Sequence, residues 1–434
     1  MATLDRQILR LALPAFGALV AQPVFLLIDA AVVGTLGTDA LAGLGAATTI
    51  FATVVGLCIF LAYATTASVA RLFGAGDRSA ALSQGIDGIA LGIALGIPLG
   101  IVVALLAEPL VLALGTSGDV APYAVTYLRI VAVSFPAGLG VLAAVGVLRG
   151  LQDTRTTLLV SLLQVVANLA LCLLLVLVLD LGIAGSAIAT AAAEVLGLAV
   201  YAAVLWRRAQ RERVGVRPSS TGILRSARDG VPLFVRTLAL RAIFVIAAAV
   251  AARLGDEQLA AYHVTVTLFF ALALALDALA IAGQALLGKT LGESDVAGSR
   301  VITRRLVWWS LWLGIILGVG IVGMRLFFPD WFSDDPAVIA LISSALLVVA
   351  LIQPLAGVVF ALDGVLIGAG DTRWLAWAQI AVLVAFVPAA WCVLNLSLDV
   401  TALWWALGWS LLARAIVLGW RARGSAWLVP GAVR

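Results

Sequence analysis

The chain has 434 residues, of which 63% are hydrophobic and only 12% charged, and its mean hydropathy is +1.15. A water-soluble domain carries about twice that share of charge, so a soluble globule is excluded. The nucleic-acid partner that a net charge of +4 would otherwise invite is excluded with it.

Apolar runs of about 20 residues, each long enough to cross a hydrocarbon core of about 30 Å, recur along the whole chain. All should be helical, because lipid offers no partner for free backbone groups. The runs predict spans at 8–35, 41–70, 84–107, 120–148, 157–180 and 183–206. After an arginine-rich stretch at 207–228, broken by Pro218-Ser219-Ser220, they predict 229–253, 258–287, 301–326, 336–366, 374–395 and 400–421. The fold class expected is an all-α membrane protein of twelve transmembrane helices. Its organisation is read as an N-terminal bundle (1–206), a basic linker (207–228) and a C-terminal bundle (229–434).

The two sets of six are one unit written twice. Residues 146–155 read GVLRGLQDTR and residues 364–373 read GVLIGAGDTR, 218 positions later. The same offset pairs Pro14 with Pro232, Leu36-Gly37 with Leu254-Gly255, Asp77 with Asp295, and Pro136 with Pro354. Six spans per copy return the chain to its starting side. The repeat is therefore parallel, with a pseudo-two-fold axis along the membrane normal, an arrangement suited to a transporter of two halves.

Arginine sets the orientation. Arg6, Arg10, Arg71, Arg78, Arg149 and Arg155 lie on the side of the N-terminus, as do Lys289, Arg300, Arg373 and the 207–228 stretch. The opposite loops carry Asp39, Glu108, Asp119, Asp256, Asp334 and Asp399. The positive-inside rule then places both termini in the cytoplasm of a multi-pass protein in the cell membrane.

Ionisable groups inside spans are costly and mark candidate sites. The first span holds Asp29, whose repeat-mate is Ala247, so this acid breaks the internal symmetry. Gln22, Phe25 and Asp29 fall at i, i+3 and i+7 on one helix face, as in the wall of a wet cavity. Asn168 and Cys172 stand one turn apart on the fifth span, and Thr190 and Glu194 one turn apart on the sixth. Glu194 either binds protons or cations, or satisfies a neighbouring backbone group or arginine. Pro14 removes an intrahelical hydrogen bond, making it a hinge candidate or a fixed kink.

Asp277, in the eighth span, is a secondary candidate that could equally pair with Arg241 or another basic residue. Asp87 and Asp363 lie near span ends, within reach of loops, and Arg129, Arg236 and Arg414 are possible counter-ions. His263 has no ligand partner in sequence and reads as an interfacial residue. The three cysteines (Cys58, Cys172, Cys392) show no paired or metal-site spacing. No metal site and no organic cofactor are expected. No HExxH, GxSxG or DDxxD pattern suggests an enzyme, and the G-x-x-D-T-R copies lack the lysine of a phosphate loop. They read as structural turns, with Asp capping the next helix.

The doubled G-x-x-D-T-R turn, RLFGAGD at 71–77, LALDALAIAGQALLGKTLG at 274–292 and DGVLIGAGDTR at 363–373 together resemble multidrug and toxic compound extrusion (MATE) transporters. The likeness covers nearly the whole chain and is greatest to the DNA-damage-inducible protein F branch. The resemblance implies two six-helix bundles forming a V and cation-coupled export of amphipathic, often cationic, drugs or metabolites by a monomer in the bilayer. It makes Asp29 the coupling acid, Pro14 the bending proline, and Gln22, Asn168 and Thr190 cavity-lining residues. Members of that branch often carry a second acid where this chain has Cys172. Losing a carboxylate weakens a site for a hard cation, so H⁺ is favoured over Na⁺, with Glu194 offered as a replacement acid. The alternative within the same superfamily is a flippase for a lipid-linked precursor, which calls for a basic central cavity.

Overall fold

The structure, a computed structural model, describes residues 2–116 and 118–432. Among these the regular elements are all helical. The first half comprises α1 (Ala2–Gly34), α2 (Thr38–Leu57), α3 (Phe60–Gly74), α4 (Arg78–Leu105), the short α5 (Ala107–Ala113), α6 (Ala121–Ala132), α7 (Phe135–Gly150), α8 (Thr154–Cys172) and α9 (Gly182–Arg211). The second half comprises α10 (Ser220–Leu254), α11 (Asp256–Gly292), α12 (Val296–Met324), α13 (Pro336–Gly368), α14 (Thr372–Asn395) and α15 (Val400–Arg423). Among the described residues eleven helices are long and apolar enough to cross a bilayer, and the pair α6–α7, bent by 57°, makes a twelfth when counted as one span.

The repeat is visible in the turns. Gly37 and Gly255 both take positive φ, 115° and 126°, between the first two spans of each half. Asp77 caps α4 by accepting from the Ala80 amide at 2.8 Å, and Asp295 caps α12 from the Gly298 amide at 2.7 Å. Close packing is duplicated as well. A Cβ on Gly146 would meet the Ala62 carbonyl at 2.5 Å, and one on its repeat-mate Gly364 would meet the Ala280 carbonyl at 2.4 Å. Lipid gives helices no hydrophobic reason to associate, so small residues that admit a neighbouring backbone do that work.

Each half also departs from its twin. The second span of the first half breaks at Cys58-Ile59 into α2 and α3, whereas α11 runs unbroken. The fourth span bends at Val133-Ser134, just before Pro136, whereas α13 continues through Pro354. α8 ends in a π-helical turn over Leu173–Val178, directly after Cys172.

The chain divides into two compact units, one of residues 13–230 and the other of residues 2–12 with 231–432. The first unit is as long as the repeat offset; it begins one residue before Pro14 and ends two residues before Pro232. This partition differs from the sequence expectation of 1–206, 207–228 and 229–434, for two physical reasons. The basic stretch is helical at both ends, since α9 runs to Arg211 and α10 begins at Ser220. The leading segment of each half is also anchored away from its own copy. Asp5 accepts two hydrogen bonds from Arg305 of α12, at 2.5 and 2.7 Å, and one from the Trp309 indole at 2.9 Å. In the other unit Asp87 of α4 accepts the Ser219 amide at 2.7 Å, and Gln84 donates to Ser226 at 2.9 Å. Arg305 and Asp87 are themselves repeat-mates.

Candidate functional site

Four spans of the 13–230 unit bring polar side chains to one buried point. α1 delivers Asp29, α6 Tyr127, α8 Asn168 and Cys172, and α9 Ser186 and Thr190. All six are buried, with Asp29, Asn168, Cys172 and Ser186 fully withdrawn from the surface. The helical period explains the lines they form, since 168 and 172, and 186 and 190, are each one turn apart on one face.

Hydrogen bonds join them. Ser186 donates to Asp29 Oδ1 at 2.5 Å, the Cys172 thiol to the same oxygen at 3.4 Å, and the Tyr127 hydroxyl to Oδ2 at 3.3 Å. Tyr127 also shares a proton with Thr190 at 3.2 Å, and Thr190 accepts from Asn168 Nδ2 at 3.4 Å. Among the described residues the Asn168 carbonyl oxygen has no hydrogen-bond partner. No guanidinium or ammonium reaches Asp29 in this set of bonds. The carboxyl is held entirely by neutral donors, and every hydroxyl in the set can turn to accept instead.

Of the residues singled out in the sequence, Asp29, Asn168, Cys172 and Thr190 meet here. Glu194 stands one turn beyond Thr190 on α9, half-buried, and accepts from Gln164 Nε2 at 3.5 Å. Gln22 is exposed and Phe25 half-buried on α1, and neither is among the hydrogen-bond partners of Asp29. Pro14 lies within the unbroken α1, at the edge of its unit. Asp277 is half-buried on α11, in the other unit.

Tyr127 and Ser186 were not anticipated. Ser186 was detectable in principle, because it continues the Thr190–Glu194 spacing one turn earlier. Tyr127 carried no signal beyond lying in a span.

In the second unit the buried acid Asp363 is treated differently. Arg236 binds both of its oxygens, Nε donating to Oδ1 at 3.3 Å, and Arg414 lies 2.9 Å from Oδ2. Two guanidinium groups face this acid, where Asp29 has only neutral partners.

The duplicated turns are latches. Asp153 caps α8 through the Thr156 amide at 3.1 Å, accepts the Thr156 hydroxyl at 2.7 Å and pairs with Arg208 near the end of α9. Partial burial alone would push the Asp153 carboxyl up. The Thr156 hydroxyl and amide and the Arg208 guanidinium more than offset it, leaving Asp153 below the usual carboxylate range. Its repeat-mate Asp371 is gripped by Arg421 of α15 through two bonds, at 2.7 and 3.3 Å.

The MatE family profile matches residues 14–174 and again 232–392, two copies separated by the repeat offset. The chain belongs to the MatE family. It is 30% identical to DNA damage-inducible protein F of Escherichia coli, an alignment covering 96% of this chain and 92% of that one. It is 33% identical to Protein DETOXIFICATION 43 of Arabidopsis thaliana, over 61% of this chain and 50% of the plant protein. Among solved structures, the eukaryotic MATE transporter AtDTX14 shares the fold with a TM-score of 0.88 at 18% identity, covering 98% and 97% of the two chains. The MatE chain is thus a multi-pass membrane transporter of the multidrug and toxic-compound efflux family, with the two-lobed fold of MATE structures.

Proposed function

We propose that this protein is a proton-coupled antiporter that exports amphipathic or cationic small molecules by alternating access, with Asp29 as the coupling acid. The observation that carries the reading is a fully buried carboxyl whose partners Ser186, Cys172 and Tyr127 are all neutral. Gain or loss of one proton there changes a whole charge in a medium where charge is costly. It also reverses hydrogen bonds. A charged Asp29 accepts three donors, while a protonated one must itself donate, releasing a hydroxyl. Tyr127 can then donate to Thr190, and Thr190 to the unpaired Asn168 carbonyl, so the proton at Asp29 is felt on α6, α8 and α9.

A neutralised Asp29 no longer attracts a cationic substrate, and a bend of α1 near Pro14 would complete its release. A proton asks only for one acid and a rearrangeable shell, which is what surrounds Asp29. A sodium ion asks for several hard oxygen ligands at once, and Cys172 supplies a soft thiol at one of the positions. The flippase alternative calls for a basic central cavity, and the hydrogen-bonded partners of Asp29 include no basic group. Glu194, facing Gln164, is assigned the second proton- or cation-binding position. The arginine-rich side, with both termini, is assigned to the cytoplasm of the cell membrane.

The test is Asp29→Asn in proteoliposomes carrying an imposed pH gradient. Proton-driven efflux should fall to the level of empty vesicles while the protein remains folded; efflux at the native rate overturns the assignment. A sodium gradient in place of the proton gradient should drive nothing.

A further inference from the structure

The 13–230 unit carries a cavity remote from Asp29 along the helices, on the arginine-rich side. It is open, about 340 Å³ in volume. Its floor is apolar, made by Phe73, Leu82 and Leu151, and its rim holds Arg78, Arg208 and Arg211 together with Glu212. Arg78 lies 5.8 Å above the Phe73 ring and 3.5 Å from Glu212, and Arg208 pairs with Asp153. Two acids against three arginines leave the rim with one uncompensated positive charge. Arg207, Arg213 and Arg217, all exposed on the adjoining chain, enlarge the field.

The position of the cavity on α9 identifies what approaches it. The helix exposes Val195 and Leu196 along its apolar length and then Trp206, 51% exposed, immediately before Arg207 and Arg208. An apolar face ending in tryptophan and then arginine is the pattern of a helix leaving the hydrocarbon for the headgroup layer. Guanidinium groups recognise phosphate oxygens through paired hydrogen bonds. A small soluble anion would use the rim and leave Phe73, Leu82 and Leu151 uncovered. A phosphate carried on a glycerol and acyl chain uses both.

We propose that this cavity binds the headgroup of an anionic phospholipid. The bound phosphate competes with Asp153 and Glu212 for Arg208 and Arg78. Lipid occupancy therefore bears on the latch that ties the G-x-x-D-T-R turn to α9, and so on the freedom of the fifth and sixth spans that carry Asn168, Cys172, Ser186 and Thr190. The inference does not depend on which ion Asp29 couples.

The experiment uses the full chain purified in non-ionic detergent. Lipid retention is measured by native mass spectrometry and the unfolding temperature is recorded in parallel. The probes are a dioleoyl anionic phospholipid, a zwitterionic phospholipid with the same chains, and inorganic phosphate. The anionic lipid should be retained and should raise the unfolding temperature, and the other two should do neither. Arg78→Gln with Arg211→Gln, both at exposed positions that leave the Asp153–Arg208 pair intact, should cut retention at least threefold and abolish the rise. Equal retention of the zwitterionic lipid, an equal rise with inorganic phosphate, or native retention by the double variant would each overturn the proposal.

Discussion

The Asp153 latch can be dissected because its two roles respond to different substitutions. Asparagine caps a helix as well as aspartate does, so Asp153→Asn keeps the bond to the Thr156 amide while removing the charge and the Oδ2 acceptor that face Arg208. The Thr156 hydroxyl, which donates to the same oxygen, can turn to accept from the new amide. The side chains of the pair are 24% and 33% exposed. That places the interaction toward the upper end of the range for surface pairs, about 1 kcal/mol. Asp153→Ala loses the cap as well, a further cost of about 1 kcal/mol. For a unit of this size the expected losses are about 2–4 °C for the asparagine variant and roughly twice that for alanine.

The protein provides its own reporter. Cys58 and Cys172 are buried in the 13–230 unit while Cys392 is exposed, so in a Cys392→Ser background a thiol-reactive dye reports the opening of that unit. The effect of pH has a defined sign. Asp153 titrates below its unfolded value, so its contribution is fully present above pH of about 4 and fades as pH falls through the lower folded value. The gap between native protein and Asp153→Asn should therefore be constant from pH 6 to 8 and close in acid. Arg208→Gln should cost nothing more once Asp153 is asparagine. An asparagine variant as stable as the native protein, or an alanine variant no worse than asparagine, refutes the reasoning.

Two further outcomes separate the buried acids of the two units. Ser186→Ala removes a hydrogen bond to a charged group, worth about 1.5–3 kcal/mol, from the Asp29 cluster. It should displace the pH dependence of efflux measurably while Ser186→Thr restores it; a superimposable pH profile would rule out Ser186 as a partner of the coupling acid. Asp363→Asn removes a counter-ion shared by two buried arginines, a change that costs about 3–5 kcal/mol. It should reduce the yield of folded protein, yet leave the pH profile of the surviving transporters unchanged, as measured in the same vesicles.

How much could be read from the sequence follows from which forces act locally. The spans were legible because the hydrocarbon thickness imposes a length and a composition on each. The duplication was legible because Asp77 and Asp295, or Gly37 and Gly255, sit in turns whose chemistry tolerates few substitutes. Asp29, Asn168, Cys172 and Thr190 stood out as polar groups in apolar runs.

What escaped depends on packing between distant segments. Nothing around Cys58-Ile59 announces a helix break, and the same proline bends α6–α7 but is absorbed within α13. A helical face drawn through Gln22, Phe25 and Asp29 is correct geometry for α1, yet it cannot say how far along that face the neighbours converge. They do so at Asp29, where Ser186 and Tyr127 arrive from spans 157 and 98 residues away in sequence. The domain limits escaped for the same reason, since Asp5 finds Arg305 across 300 residues.

That last pairing bears on how such a chain can be built at all. Residues 2–12 belong with the second copy, and residues 220–230 of α10 belong with the first, so neither copy supplies all the pieces of the body it mostly forms. A single copy synthesised alone would have to borrow its missing arm from an identical partner, as domain-swapped dimers do. Fusing two copies in one polypeptide makes that exchange obligatory and frees each to diverge. The Asp29 position is one place where they have diverged, since Ala247 holds it in the second copy.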